Sequence, residues 1–255
     1  MNQLPVSTAT ISLFLLVLAR TGAWVVTAPV LSAKGMSPVG RLAAAVALAV
    51  FVTPMMQGTK VPDQLPAYVT GALAQVAIGL VLGLLTSLLF AAFEVAGSLA
   101  DVSGGFSYAQ IVDPLTGNAT AAFSRLFTIC FSAIFFVSDA YQAVIGGFVT
   151  SFRGIPLDHM PSLSSGTAAT LGHAATQVIL SALEVAAPLL GVLFLTDVAL
   201  GLAARFVPQA NAMALAMPVK TLVALTAAGA TLALLPAHAA HLLDPSLQLP
   251  YEVIR

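Results

Sequence analysis

The sequence predicts an all-α, membrane-inserted chain, and three observations carry that prediction. Hydrophobic residues make up 59% of the 255 positions, charged residues only 7%, and the mean hydropathy is +0.99. A soluble domain normally carries about a quarter of its residues as Asp, Glu, Lys and Arg, so this chain cannot cover itself with a solvated surface. The apolar residues fall in long Ala/Leu-rich runs without period-2 alternation, which disfavours strands. Gly, Pro and charged residues punctuate the sequence between those runs, as turns require.

A membrane span needs roughly 20 mostly apolar residues, and the runs lie near 7–30, 40–57, 67–101, 123–150, 171–204 and 217–240. The first has no basic segment ahead of it and no cleavage signal behind it, so a retained helix is expected. The second follows Lys34, Gly35 and Pro38. Gly58, Lys60, Pro62, Asp63 and Pro66 separate it from the third. At roughly 1.5 Å per residue the third run spans about 50 Å, against a hydrocarbon core of about 30 Å, so it must tilt, break or project. It contains a Gly79/Gly83 pair, the spacing that lets two helices approach closely. Glu94 and Asp101, seven apart near its end, are expected on one helical face, turned toward protein or water because a lipid-facing charge is costly. The fourth run holds the single cysteine, Cys130, within FTICFSAIFF; no intrachain disulfide can form, and a small-hydrophobe role is expected. Residues 153–166 and then 208–211 close off the fifth run. Loop charges are too evenly divided to orient the chain by the positive-inside rule.

The same numbers exclude whole classes of function. Basic residues stand singly, with no stripe to neutralise phosphates, so nucleic acid is not expected as a partner. No Walker, dinucleotide or Ser/His/Asp pattern is present, and ten acids leave few groups for acid–base work. An enzyme is not expected, nor is a cofactor. His238 and His241, three apart without a third ligand, do not make a metal site.

Three segments say more. EVAGSLADVSGGFSYAQIVDPLTGNATAAFSR (94–125) joins a long helix to the next through Gly104, Gly105, Phe106, Ser107, Tyr108 and the turn-forming Asp113-Pro114. SDAYQAVIGGFVTSFRGIP covers 138–156. APLLGVLFLTDVALGLAARFVPQANAMALAMPVK (187–220) carries Asp197, Gly201 and Arg205, then Pro208, Gln209 and Asn211, then Pro218 and Lys220. With Arg20 before Pro29, Glu94 with Gly97, and Ser151-Phe152 with Pro156, their order and spacing resemble the bacterial flagellar biosynthetic FliR family and its counterparts in virulence-associated type III secretion. Residues 139–141 read Asp-Ala-Tyr where that family commonly has an Asp-Gly-His type of triplet.

The resemblance implies a single-copy subunit of an export gate, a helical assembly with FliP and FliQ in the inner membrane at the flagellar basal body. It implies long kinked helices and a C-terminal helical hairpin, with a FliP-like part over 1–165 followed by a FliQ-like part over 166–255. The gate would conduct unfolded flagellar proteins, with FlhB and FlhA as further partners. Gly104, Gly105, Phe106, Ser107 and Tyr108 are then either a pore plug or an ordinary turn. Arg20, Glu94, Asp101, Asp197 and Arg205 either line a water-filled path or pack against other subunits. Pro208, Gln209, Asn211, Pro218 and Lys220 either meet FlhB or form a polar turn. An injectisome subunit and a small-solute transporter are the alternatives; a transporter would be expected to show an internal repeat, and no matching halves stand out.

Overall fold

A computed structural model describes residues 8–29, 37–59, 61–62, 64–105, 122–155, 157, 165–206, 218–233 and 236. Among these residues there is no strand. The chain is an all-α membrane protein. Among the described residues, four helical stretches are long and apolar enough to cross a membrane: Ala9–Thr27, Pro38–Met56, Leu65–Gly104 and Ile179–Phe206.

Helix α1 covers Thr8–Thr27 and α2 covers Pro38–Val52. The start of α2 is set locally: Pro38 needs no N–H partner in the first turn, and the Ser37 hydroxyl accepts the Gly40 N–H at 3.1 Å. A 3-10 turn, Thr53–Met56, tightens its end around Pro54. Helix α3 runs unbroken over Leu65–Gly104, 40 residues. It stops where Gly105 takes a left-handed φ of +80°, a conformation glycine adopts without strain.

The apolar run expected as one span over 123–150 is two helices, α4 (Ala122–Val137) and α5 (Ala140–Gly154). Asp139 lies between them at φ +56°, the left-handed region that Asp tolerates better than most residues. Mean hydropathy over a span-length run does not register such a break, because the polar residues at 138–142 are few beside the apolar helices on either side. Helix α6 covers Ser165–Phe206, 42 residues, with Pro188 inside it. Helix α7 covers Pro218–Ala233 and begins on a proline, as α2 does.

The described residues fall into two compact units, and α3 and α6 each contribute to both. The first unit holds α1, α2, the 3-10 turn, α3 as far as Leu88, α5, and α6 as far as Ala174. Its core joins Leu16, Val17, Trp24 and Val25 of α1 to Ala49 of α2, Ile78 and Leu82 of α3, and Phe148 and Phe152 of α5. Trp24 stacks on Phe148 with centroids 4.4 Å apart. The Gly79/Gly83 pair makes the close approach its spacing suggests. A methyl group at Gly79 would meet the Arg20 carbonyl oxygen and lie 2.8 Å from the Ala23 Cβ, and one at Gly83 would lie 2.7 Å from the Thr27 Cβ.

The second unit holds α3 from Leu89, α4, α6 from Ala175, and α7. Its centre is aromatic. Phe123, Phe127, Phe131 and Phe135 recur every fourth residue along α4, so they form one stripe, and all four are buried. Phe93 of α3 stacks on Phe131 at 4.0 Å, and Phe90 meets Phe131 and Phe135 edge-on at 5.0 and 5.3 Å.

Candidate functional site

The charged residues singled out in the sequence occupy three environments. Arg20 is fully buried in the first unit. Its Nε donates to Gln75 Oε1 at 2.7 Å, Nη1 to the Ser151 carbonyl at 3.2 Å and Nη2 to the Ile155 carbonyl at 2.9 Å. The guanidinium also sits 4.3 Å from the Phe152 ring centroid. Ser151 lies in the last turn of α5 and Ile155 just beyond it. The cation therefore sits at the C-terminal, negative end of the α5 dipole, where the Ser151 carbonyl also accepts the Ile155 N–H at 2.9 Å.

Asp101, in the second unit, is buried on α3 and points at the start of α4. One carboxylate oxygen accepts the Phe123 N–H and the other the Ser124 N–H, each at 3.0 Å. These are first-turn N–H groups that α4 itself cannot pair, and a carboxylate is favoured at that positive end. Ser124 Oγ donates in turn to the Glu94 carbonyl at 3.1 Å. Gly97 makes room: a methyl there would lie 2.6 Å from the Phe123 carbonyl oxygen and against the Ser124 Cα. Asp101, Gly97 and Ser124 thus form a clasp between the end of α3 and the start of α4. Glu94 and Asp101 lie seven apart on the unbroken helix α3, and the start of α4 covers Asp101 while the Glu94 side chain is exposed.

The third environment is the α6–α7 pair. Lys220 Nζ approaches the two oxygens of Asp197 at 2.8 and 2.9 Å, with the aspartate about half exposed. The sequence reading put these two residues in separate groups, and the structure brings them together. Arg205 is exposed in the last turn of α6, where a cation suits the helix dipole. Pro218 opens α7 and is exposed. Gly104 is the last residue of α3 and is buried, and Gly105 ends that helix. Phe106, Ser107, Tyr108, Pro208, Gln209 and Asn211 lie outside the described residues, as do His238 and His241.

Sequence reasoning missed Gln75, Ser124 and Glu184. Gln75 and Ser124 are polar residues in apolar runs and signal nothing by spacing; Glu184 is an isolated acid within a span and could have been flagged on that ground. A cavity of about 600 Å³ is lined by residues 9–13 and 15 of α1, residues 57–59 and 61–62, Leu65 and Tyr68, and Tyr68 donates to the Ser12 carbonyl at 3.0 Å across its wall. Among the described residues, no three His, Cys, Asp or Glu side chains gather as a metal site would require.

A helical membrane chain with charges locked at helix ends belongs with proteins of matching sequence order, and such proteins exist. The family model described as bacterial export proteins, family 1, matches residues 11–245. The chain belongs to that family. Its similarity to relatives in the bacterial export family is graded. It is 31% identical over 210 residues to the flagellar biosynthetic protein FliR of Bacillus subtilis, covering 81% of each chain. It is 27% identical over 244 residues to FliR of Pectobacterium carotovorum, covering 96% of this chain and 93% of that one. It is 30% identical over 151 residues to Yop proteins translocation protein T of Yersinia pestis, covering 59% of this chain and 58% of that one.

Proposed function

We propose that this export-family member is a structural, pore-forming subunit of the flagellar type III export gate, conducting unfolded flagellar proteins across the bacterial inner membrane at the basal body. The observation that carries the reading is the extent of likeness. Flagellar relatives match over 81% and 96% of the chain, whereas the Yersinia translocation protein matches over 59%. That contrast favours a flagellar gate over an injectisome gate. In this reading residues 1–165 are the FliP-like part and 166–255 the FliQ-like part, assembled with FliP and FliQ and served by FlhB and FlhA.

Within the gate, Gly104, Gly105, Phe106, Ser107 and Tyr108 act as a plug that seals the channel to ions. Two features support this: the helix-ending left-handed Gly105, and the clasp of Asp101 on α4, which holds both ends of the 105–121 connection together. A fixed base with a glycine exit suits a segment that must return to one position. Pro208, Gln209, Asn211, Pro218 and Lys220 form the FlhB-facing contact, and the Lys220–Asp197 ion pair supports it by tethering α7 where it begins. Catalysis and cofactors have no part in the proposal.

Co-expression with FliP- and FliQ-type subunits, followed by native mass spectrometry, tests the assembly. One copy inside a defined hetero-oligomer is expected, and a lone monomer or homo-oligomer with both partners present would overturn it. The plug is tested by replacing Phe106 and Tyr108 with glycine and measuring ion conductance of the assembled gate. Conductance should rise, and an unchanged value would assign sealing to another segment.

A further inference from the structure

Helix α6 buries a narrow seam in the second unit, Ser181, Ala182, Val185, Ala186, Leu189 and Leu193. Around it the surface is exposed and apolar, with Ile179, Leu180 and Leu183 preceding the exposed acid Glu184, while the other exposed acid of the helix, Asp197, is paired with Lys220. Two separate features leave this position short of donors. Among the described residues, the Glu184 carboxylate has no hydrogen bond or ion pair, while Lys220 is engaged with Asp197. Arg205, on the same helix, is 21 residues away, about 30 Å along the axis. Pro188 stands four residues after Glu184, where the helix would supply an N–H to the Glu184 carbonyl, and proline has none. A charged acceptor and a freed backbone acceptor thus share one exposed turn of a helix apolar enough to span a membrane.

Lipid tails offer no donors, and a carboxylate in an apolar surround is costly unless it is paired. We propose that the Glu184 face of α6 docks a membrane helix of a neighbouring gate subunit that carries a lysine or arginine, whose side chain meets both the carboxylate and the freed Glu184 carbonyl. The flanking leucines supply the packing, and the cation supplies specificity, because an unpaired acid penalises any uncharged helix in its place. The identity of the occupant as a gate subunit rests on the export-gate reading above.

The test uses the full chain co-expressed with the complete set of gate subunits. The fraction of chain inside the purified complex is measured by native mass spectrometry for wild type, E184Q, E184L and E184K, and the membrane content of each variant is measured separately. E184K should lower the assembled fraction on the order of tenfold or more, as expected when one side of a desolvated charge pair is reversed. E184Q and E184L should lower it less, and one Lys→Glu or Arg→Glu change in a membrane segment of another subunit should restore E184K. If E184K fails to insert, the near-isosteric E184Q decides: assembly equal to wild type overturns the inference. Assembly of E184L at or above the wild-type level would mean that lipid covers the face. Reaction of E184C with a membrane-impermeant maleimide inside the assembled complex would mean that water does. Either result overturns the docking proposal while leaving the gate reading intact. A wild-type chain that joins no other subunit overturns both.

Discussion

Arg20 carries its charge into the core of the first unit, where its three nitrogens are met by a glutamine oxygen and two carbonyls at the end of α5. A planar fork can reach three acceptors set around it, whereas a lysine delivers all its donors from one atom. Arg20→Leu removes the donors and strands the buried Gln75 oxygen, so a loss of roughly 3 to 5 kcal/mol is expected, the cost typical of breaking a buried charged network. Arg20→Lys should recover only part of it. Thermal unfolding of the purified chain in detergent checks both, and a lysine variant that melts with wild type would show that charge, and not the fork, holds the site. Asp101 makes a comparable demand on shape, since each of its oxygens takes a separate N–H. An asparagine keeps one acceptor and turns an amine toward the other N–H. Asp101→Asn is therefore expected to cost about 2 kcal/mol and to speed hydrogen exchange at the Phe123 and Ser124 amides.

Elements meet in this protein through small residues and aromatic stripes. At Gly97 the obstacle to a side chain is the Phe123–Ser124 backbone, which cannot rotate aside as a side-chain tip could. Gly97→Ala should therefore part α3 from α4 and loosen the Asp101 clasp, costing about 1 to 3 kcal/mol as an overpacked contact does. Gly22, which has open space around it, is the matched control within a helix, and Gly22→Ala should be neutral or mildly stabilising. Helix-level features such as these were partly legible in the sequence. The close approach at Gly79 and Gly83 follows from the spacing of two glycines in an apolar run, and the ends of α2 and α3 from Pro38 and Gly105. The α4–α5 break was not, because the short polar stretch Ser138-Asp139 is averaged away between two apolar helices and the bend itself depends on one backbone angle at Asp139. Nor was the Asp197–Lys220 pair: helical periodicity relates residues three or four apart, and these are 23 apart on different helices.

At the scale of the molecule, the 40-residue α3 measures about 60 Å at roughly 1.5 Å per residue, twice a hydrocarbon core of about 30 Å. Cysteines placed at the exposed Leu65 and Val102 positions should therefore differ from one at Leu84: at least one end should react with a membrane-impermeant maleimide, and the middle should not. Protection at both ends would mean that the whole length is sheathed by protein or lipid. The Arg20 site has a further consequence, which lies in the order of synthesis. Its carbonyl partners come 131 and 135 residues after it in the chain. At about 5–20 residues per second, a ribosome needs roughly 7 to 27 seconds to supply them. During that interval α1 is an apolar segment whose cation has at most Gln75, 55 residues downstream, as a partner, too costly to rest in lipid alone. The nascent helix must wait in a wetter shelter, such as the insertion machinery, until α5 arrives, so the first span made is among the last to be secured.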